Sequence, residues 1–219
     1  MPLSRRLTAE FIGTALLLAA IVGSGIMGEA LSHGNAAVAL LANAAATAGA
    51  LYALIVILAP ISGAHFNPAV TVVAHLHGDL SRRDAVAYIV VQTVAAIAGV
   101  LLAHAMFDLP LLQAGTHVRT GASQWLSEAV ATFGLILTIV LGVRHRPAAV
   151  HALVASYIFA AYWFTASTSF ANPAVTLARA LTTTFAGIRP EDVAAFIAAQ
   201  AVGTFVAIKT VGFLRPAHA

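Results

Sequence analysis

His65-Phe66-Asn67-Pro68-Ala69-Val70-Thr71 and Phe170-Ala171-Asn172-Pro173-Ala174-Val175-Thr176 are two copies of one motif, their asparagines 105 positions apart. Each copy predicts a helix start. Asparagine is a favoured N-cap because its side-chain oxygen takes up an orphan backbone N–H, and proline suits the first helical position because it has no N–H to satisfy. The helix that each copy opens is short. Val70 to His77 and Val175 to Leu181 amount to about two turns, or about 12 Å at 1.5 Å per residue, which is less than half of a bilayer core of about 30 Å. One such turn is commonplace; two, both continuing into Val-Thr, indicate a repeated device.

The rest of the chain says where that device sits. Of 219 residues, 60% are hydrophobic and 9% charged, and the mean hydropathy is +0.92, whereas a soluble domain carries about 25% charged residues. The chain reads as a single integral membrane domain, 1–219, with room for six spans and no soluble domain beside them. The basic balance, net +3, does not point to nucleic acid, because the arginines sit in short loops and at the ends. With no cysteine, disulfides, thiolate metal sites and a thiol nucleophile are excluded.

Working outward, the expected spans are Leu7 to Gly28, Ala36 to Ala59, Ala85 to Met106, Trp125 to Val143, Ala148 to Trp163 and Val193 to Phe213. Pro60 to His65 reads as a breaker-rich link into the first half-helix, and Ser167-Thr168-Ser169 as the link into the second. The longest loop, 108–123, reads as the join between two repeats, about 1–107 and 124–219. Ala9-Glu10-Phe11-Ile12-Gly13-Thr14 answers to Ser127-Glu128-Ala129-Val130-Ala131-Thr132, and Tyr88 to Gln92 answers to Phe196 to Gln200. Three spans per half is odd, so the second half is inverted. The predicted fold is all-α and integral to the membrane: six transmembrane helices plus two re-entrant half-helices in an inverted repeat. Arg5, Arg6, Arg82, Arg83, Arg144, Arg146, Lys209 and Arg215 fall on one face, against Arg119, Arg179 and Arg189 on the other. The positive-inside rule then makes both termini cytoplasmic.

Irregular backbone at membrane depth is tolerated only where protein buries it or a wet cavity borders it. Two inverted half-helices bring their positive N-terminal ends together near the midplane. With the oxygens of Asn67 and Asn172 used as caps, their NH2 groups are expected to remain free as donors to a passing solute. Such a site passes neutral molecules and repels protons and small cations.

These features, with Ser62-Gly63-Ala64-His65-Phe66 before the first copy, Ala9-Glu10-Phe11 in the first span and Glu128 in the fourth, identify the sequence as similar to the aquaporin, or major intrinsic protein, family over essentially its whole length. The resemblance implies a homotetramer in the membrane lipid with one pore per subunit, no cofactor and no metal. It also implies a selectivity filter at Thr47, Ala160, Ser169 and Val175. Family members usually carry Arg at the last of these, and water-selective members carry Phe and His at the first two. Losing that charge and those rings predicts a wide, weakly selective filter. The pattern looks most like aquaglyceroporins encoded with bacterial arsenic-resistance genes, which implies water, glycerol and neutral metalloid acids such as arsenite as solutes, and a bacterial inner membrane as location.

Arg179, four residues after Val175, lies on the same helix face one turn farther out. It is expected either to supply charge to the outer vestibule, admitting small oxyanions, or to snorkel to the interface. Glu10 and Glu128 are ionisable groups inside spans, the default sign of a proton path. Their matched places favour structural carboxylates that accept hydrogen bonds from the irregular backbone. His65 is expected at the inner vestibule. His75 and His77 face different directions, and His33, His104, His117, His145, His151 and His218 form no ligand spacing. No nucleophile with a base is present, so the chain reads as a non-enzyme. Rival readings are a water-selective aquaporin, a proton-coupled transporter using Glu10 or Glu128, and a structural tetramer with a closed pore.

Overall fold

The computed structural model describes residues 1–214; Arg215 and His218, which enter the charge count and the histidine survey, lie outside them. The described elements are α1 (Leu3–Leu31), α2 (Ala36–Ser62), α3 (Pro68–Leu76), α4 (Arg82–Met106), α5 (Ala122–His145), α6 (Val150–Phe164), α7 (Pro173–Arg179) and α8 (Pro190–Phe213), with one 3-10 turn at Pro147–Ala149 before α6. Six of these helical segments are long and apolar enough to cross a membrane, and α3 and α7 are the half-helices.

Local chemistry explains the boundaries. Asn67 Oδ1 accepts from Ala69 N and Asn172 Oδ1 from Ala174 N, so both asparagines cap as expected, with Pro68 and Pro173 in the first helical position. Asn35 caps α2 and Ser81 caps α4 in the same way. α2 does not stop at Pro60. It absorbs that proline and ends at Ser62, where Gly63 (φ 91°) turns the chain left-handed and its N–H closes on Ala59 O at 2.9 Å. Proline interrupts only the bond to the preceding turn, and Gly63 supplies the stop.

Packing obeys the repeat. α1 lies against α2 and α4, as α5 lies against α6 and α8, and α2 meets α6 between the halves. Each half-helix also packs on the last span of the other half, α7 on α4 and α3 on α8. The spans approach closely through glycine: a Cβ on Gly99 would collide with Ala15 O, and one on Gly203 with Ala129 O.

The segment 107–121 is more than a join. Gly115 N donates to Ala180 O (2.8 Å), Arg189 N to His117 O (2.8 Å), and Thr183 N and Oγ1 both to Gln113 Oε1. Buried His104 ties its root, with Nδ1 on Leu111 O and Nε2 on Thr182 Oγ1, both 2.8 Å. The loop is laced onto the turn after α7, on the face away from the termini.

Candidate pore and its constriction

Before each asparagine the backbone is forced into the left-handed region at non-glycine residues: Ala64 and Phe66 in the first copy, Thr168, Ser169 and Ala171 in the second, with φ between 46° and 60°. Such residues cost about 1–3 kcal/mol each and persist only where their surroundings over-determine them. Two buried carboxylates do that. Glu10 accepts from Ser62 Oγ (2.7 Å), His65 N (3.0 Å), Phe66 N (2.8 Å) and Gln92 Nε2 (2.8 Å). Glu128 accepts from Ser167 Oγ (2.6 Å), Phe170 N (2.8 Å), Ala171 N (2.9 Å) and Gln200 Nε2 (2.7 Å). Each carboxylate therefore meets four donors and no acceptor, the arrangement of an acceptor-only ionised group.

A cavity of about 540 Å³ runs beside the asparagine pair, and neither glutamate borders it. His77, Asp79 and Arg144 border it on the face that carries the termini, and His65 lies between that mouth and Asn67. Leu17, Ile21, Leu51, Ile55, Leu135 and Ile136 contribute apolar lining; Ala64 to Asn67, Ser169, Phe170 and Asn172 bring irregular backbone and the two amides. Asn67 and Asn172 are both buried on its lining. Their NH2 groups are not wholly free, as the sequence suggested. Asn67 Nδ2 donates to Ala171 O and Asn172 Nδ2 to Phe66 O, each at 2.8 Å. A primary amide has two N–H donors, so one per asparagine fixes the opposite repeat and the second makes no hydrogen bond among the described residues.

The lining also includes Thr47, Tyr162, Ser169, Val175 and Arg179. Tyr162 donates its hydroxyl to Thr47 Oγ1 at 3.3 Å. Arg179 does not snorkel. It is 2% exposed, its Nε donates to Ala186 O, and its guanidinium lies 3.4 Å from the centre of the Phe170 ring. Among the described residues, Arg179 NH1 and Ser169 Oγ are buried without a hydrogen-bond partner, although a buried donor left unpaired costs about 1–3 kcal/mol. In the loop behind them, burial pulls the Arg119 guanidinium down from its ordinary range while Glu128 opposes the shift.

Two capped half-helices meeting at one cavity, inside an inverted six-span repeat, decide the relationship, and residues 1–162 match the family model described as major intrinsic protein. The chain belongs to the major intrinsic protein family. The aquaglyceroporin AqpS of Rhizobium meliloti (strain 1021) is 56% identical over 217 residues, covering 99% of this chain and 93% of that protein. A probable aquaporin TIP1-1 of Oryza sativa subsp. japonica is 36% identical over 136 residues, 60% of this chain and 54% of its own length. The X-ray structure of the aquaglyceroporin from Plasmodium falciparum superposes with a TM-score of 0.76 at 16% identity over 97% of both chains. At that identity the likeness concerns the fold.

Within this major intrinsic protein, three of the four filter positions read from the sequence, Thr47, Ser169 and Val175, border the cavity together. The fourth needs correction: Ala160 is exposed and does not line the cavity. α6 presents Val150, Val154, Ile158 and Tyr162 instead, a four-residue spacing that tracks one helical face. Tyr162 thus stands where an alanine was expected, and Arg179 returns a charge that Val175 lacks. The spacing of Tyr162 was readable; the burial of Arg179 was not, because its ring partner Phe170 lies nine residues earlier across the motif.

Proposed function

We propose that this protein is a passive channel for water, glycerol and other small neutral hydroxylated solutes. The observation that carries the reading is the opposed asparagine pair, each amide cross-bonded once and each on the wall of one cavity. The lining combines aliphatic side chains with amides and irregular backbone, which suits a solute that carries both carbon and hydroxyls. Neutral metalloid acids such as arsenous acid share that hydroxylated surface and belong to the same solute set. The family and the full-length likeness to an aquaglyceroporin support this reading.

The filter consists, in this reading, of Thr47, Tyr162, Ser169, Val175 and Arg179, with the charge one turn beyond its usual place in the family. The buried unpaired Arg179 NH1 and Ser169 Oγ favour solutes that accept hydrogen bonds, and extend the range to small oxyanions. The protein is an inner-membrane homotetramer with cytoplasmic termini, in keeping with its apolar helices and the positive-inside count. The carboxylates speak against proton coupling: each faces four donors away from the cavity, so protonation would set a donor against donors.

Stopped-flow uptake into proteoliposomes tests the reading with water, glycerol, arsenite and arsenate. Equilibrating, non-accumulating flux of glycerol and arsenite is expected, and replacing Arg179 with Gln is expected to lower arsenate flux relative to glycerol. Swelling equal to that of empty vesicles would refute the channel, and an arsenate-to-glycerol ratio unmoved by Arg179→Gln would refute the displaced charge.

A further inference from the structure

The turn after α7 is held by two arginines at neighbouring atoms. Arg179 Nε donates to Ala186 O, and Arg119 Nε donates to Gly187 O at 2.8 Å, so consecutive carbonyls each take one guanidinium. That turn has little room to yield. Ala186 and Ile188 are fully buried, and a Cβ on Gly187 would run into Thr182 O. Arg119 also reaches the segment on the other side of α7, its NH1 donating to Ser167 O at 3.1 Å. Its guanidinium lies 5.0 Å from the centre of the Phe170 ring, the ring that Arg179 covers at 3.4 Å. The root of Arg119 is anchored in turn, since its backbone N–H donates to Asp192 Oδ2 at 2.8 Å. Arg119 is not on the cavity wall, yet it grips both things on which the Arg179 guanidinium rests, the carbonyl turn and the ring.

We propose that Arg119 is a positioning residue for the filter: by fixing the Ala186–Gly187 turn and Phe170, it sets the depth and direction at which the Arg179 charge meets a solute. The proposal rests on Arg179 being the filter's charge. A planar fork suits the task, because one Nε and one terminal nitrogen must reach two separate carbonyls at once, which the compact lysine ammonium does less well.

The test uses full-length protein in proteoliposomes, with glycerol, water and arsenate permeabilities normalised to reconstituted protein. Wild type is compared with Arg179→Gln, Arg119→Gln, Arg119→Lys and the two Arg119 changes on the Arg179→Gln background. Arg119→Gln is expected to shift the arsenate-to-glycerol ratio by about threefold in the direction of Arg179→Gln, with the double variant no further displaced than Arg179→Gln alone. Arg119→Lys, the milder change should Arg119→Gln fail to fold, is expected to shift the ratio part-way and to add nothing on the Arg179→Gln background. If Arg179→Gln moves the ratio while the Arg119 variants lower all fluxes in parallel, or combine multiplicatively with Arg179→Gln, the positioning role is overturned and the filter reading stands. An unmoved ratio in Arg179→Gln overturns the filter charge and this proposal with it.

Discussion

Glu10 and Glu128 gather the same four donors, a serine hydroxyl, two backbone N–H groups and a glutamine amide, within a few tenths of an ångström of one another. The wall positions beside them have diverged. His65 stands in the first motif where Phe170 stands in the second, and Ala74 where Arg179 stands. The ring of His65 sits on Thr71 Oγ1 at 3.1 Å and near Tyr88, whereas Phe170 packs on Phe196 and under a guanidinium. The frame is alike because left-handed backbone at membrane depth needs the same donors satisfied in either orientation. The wall is free to differ because His65, Ala74, Phe170 and Arg179 border the cavity with their side chains and do not share the task of satisfying that backbone.

Removing the frame should have the largest effect and the same effect in both halves. Glu10→Ala and Glu128→Ala are each expected to cost about 3–5 kcal/mol, by leaving a buried polar network without its centre. Folded yield and thermal melting in detergent would show it, and a mild loss in only one of them would break the equivalence of the repeats. Next come the close helix approaches. Gly99→Ala and Gly203→Ala push a methyl into Ala15 O and Ala129 O, and each should cost about 1–3 kcal/mol by melting.

Effects at the wall should be smaller and asymmetric. Val175→Arg adds a second guanidinium beside Arg179 and should reduce glycerol permeability about tenfold more than water, equal to about 1.4 kcal/mol in barrier. Equal loss of both would mean that Val175 does not limit solute size. His65→Phe makes the first motif resemble the second and removes only the contact to Thr71. A stability loss of about 1 kcal/mol is expected, with glycerol and water fluxes lowered together and their ratio kept. A changed ratio would place a selective element on the terminal side as well.

Much of this architecture was legible because it repeats. The Asn-Pro-Ala pair gives both helix starts, and matched Glu10 and Glu128 announce the donor clusters before any contact is known. Span ends were less legible where a local breaker is outvoted, as at Pro60, which α2 passes through because the left-handed stop lies at Gly63. Tyr162 was readable only through the four-residue series from Val150, because α6 is apolar apart from His151 and Ser156 and no polar stripe marks its cavity side. Arg119 carries no signal of its own: it sits in an irregular loop, and its partners at Ser167 and Gly187 lie 48 and 68 residues away.

Each asparagine amide closes on a carbonyl belonging to the other repeat, Asn67 on Ala171 and Asn172 on Phe66. During synthesis the first repeat must therefore wait in the bilayer with Phe66 O and one N–H of Asn67 unanswered until more than a hundred further residues have been made. Neither repeat completes these bonds alone, so the seam between the halves needs the starts of both half-helices, α3 and α7, in place.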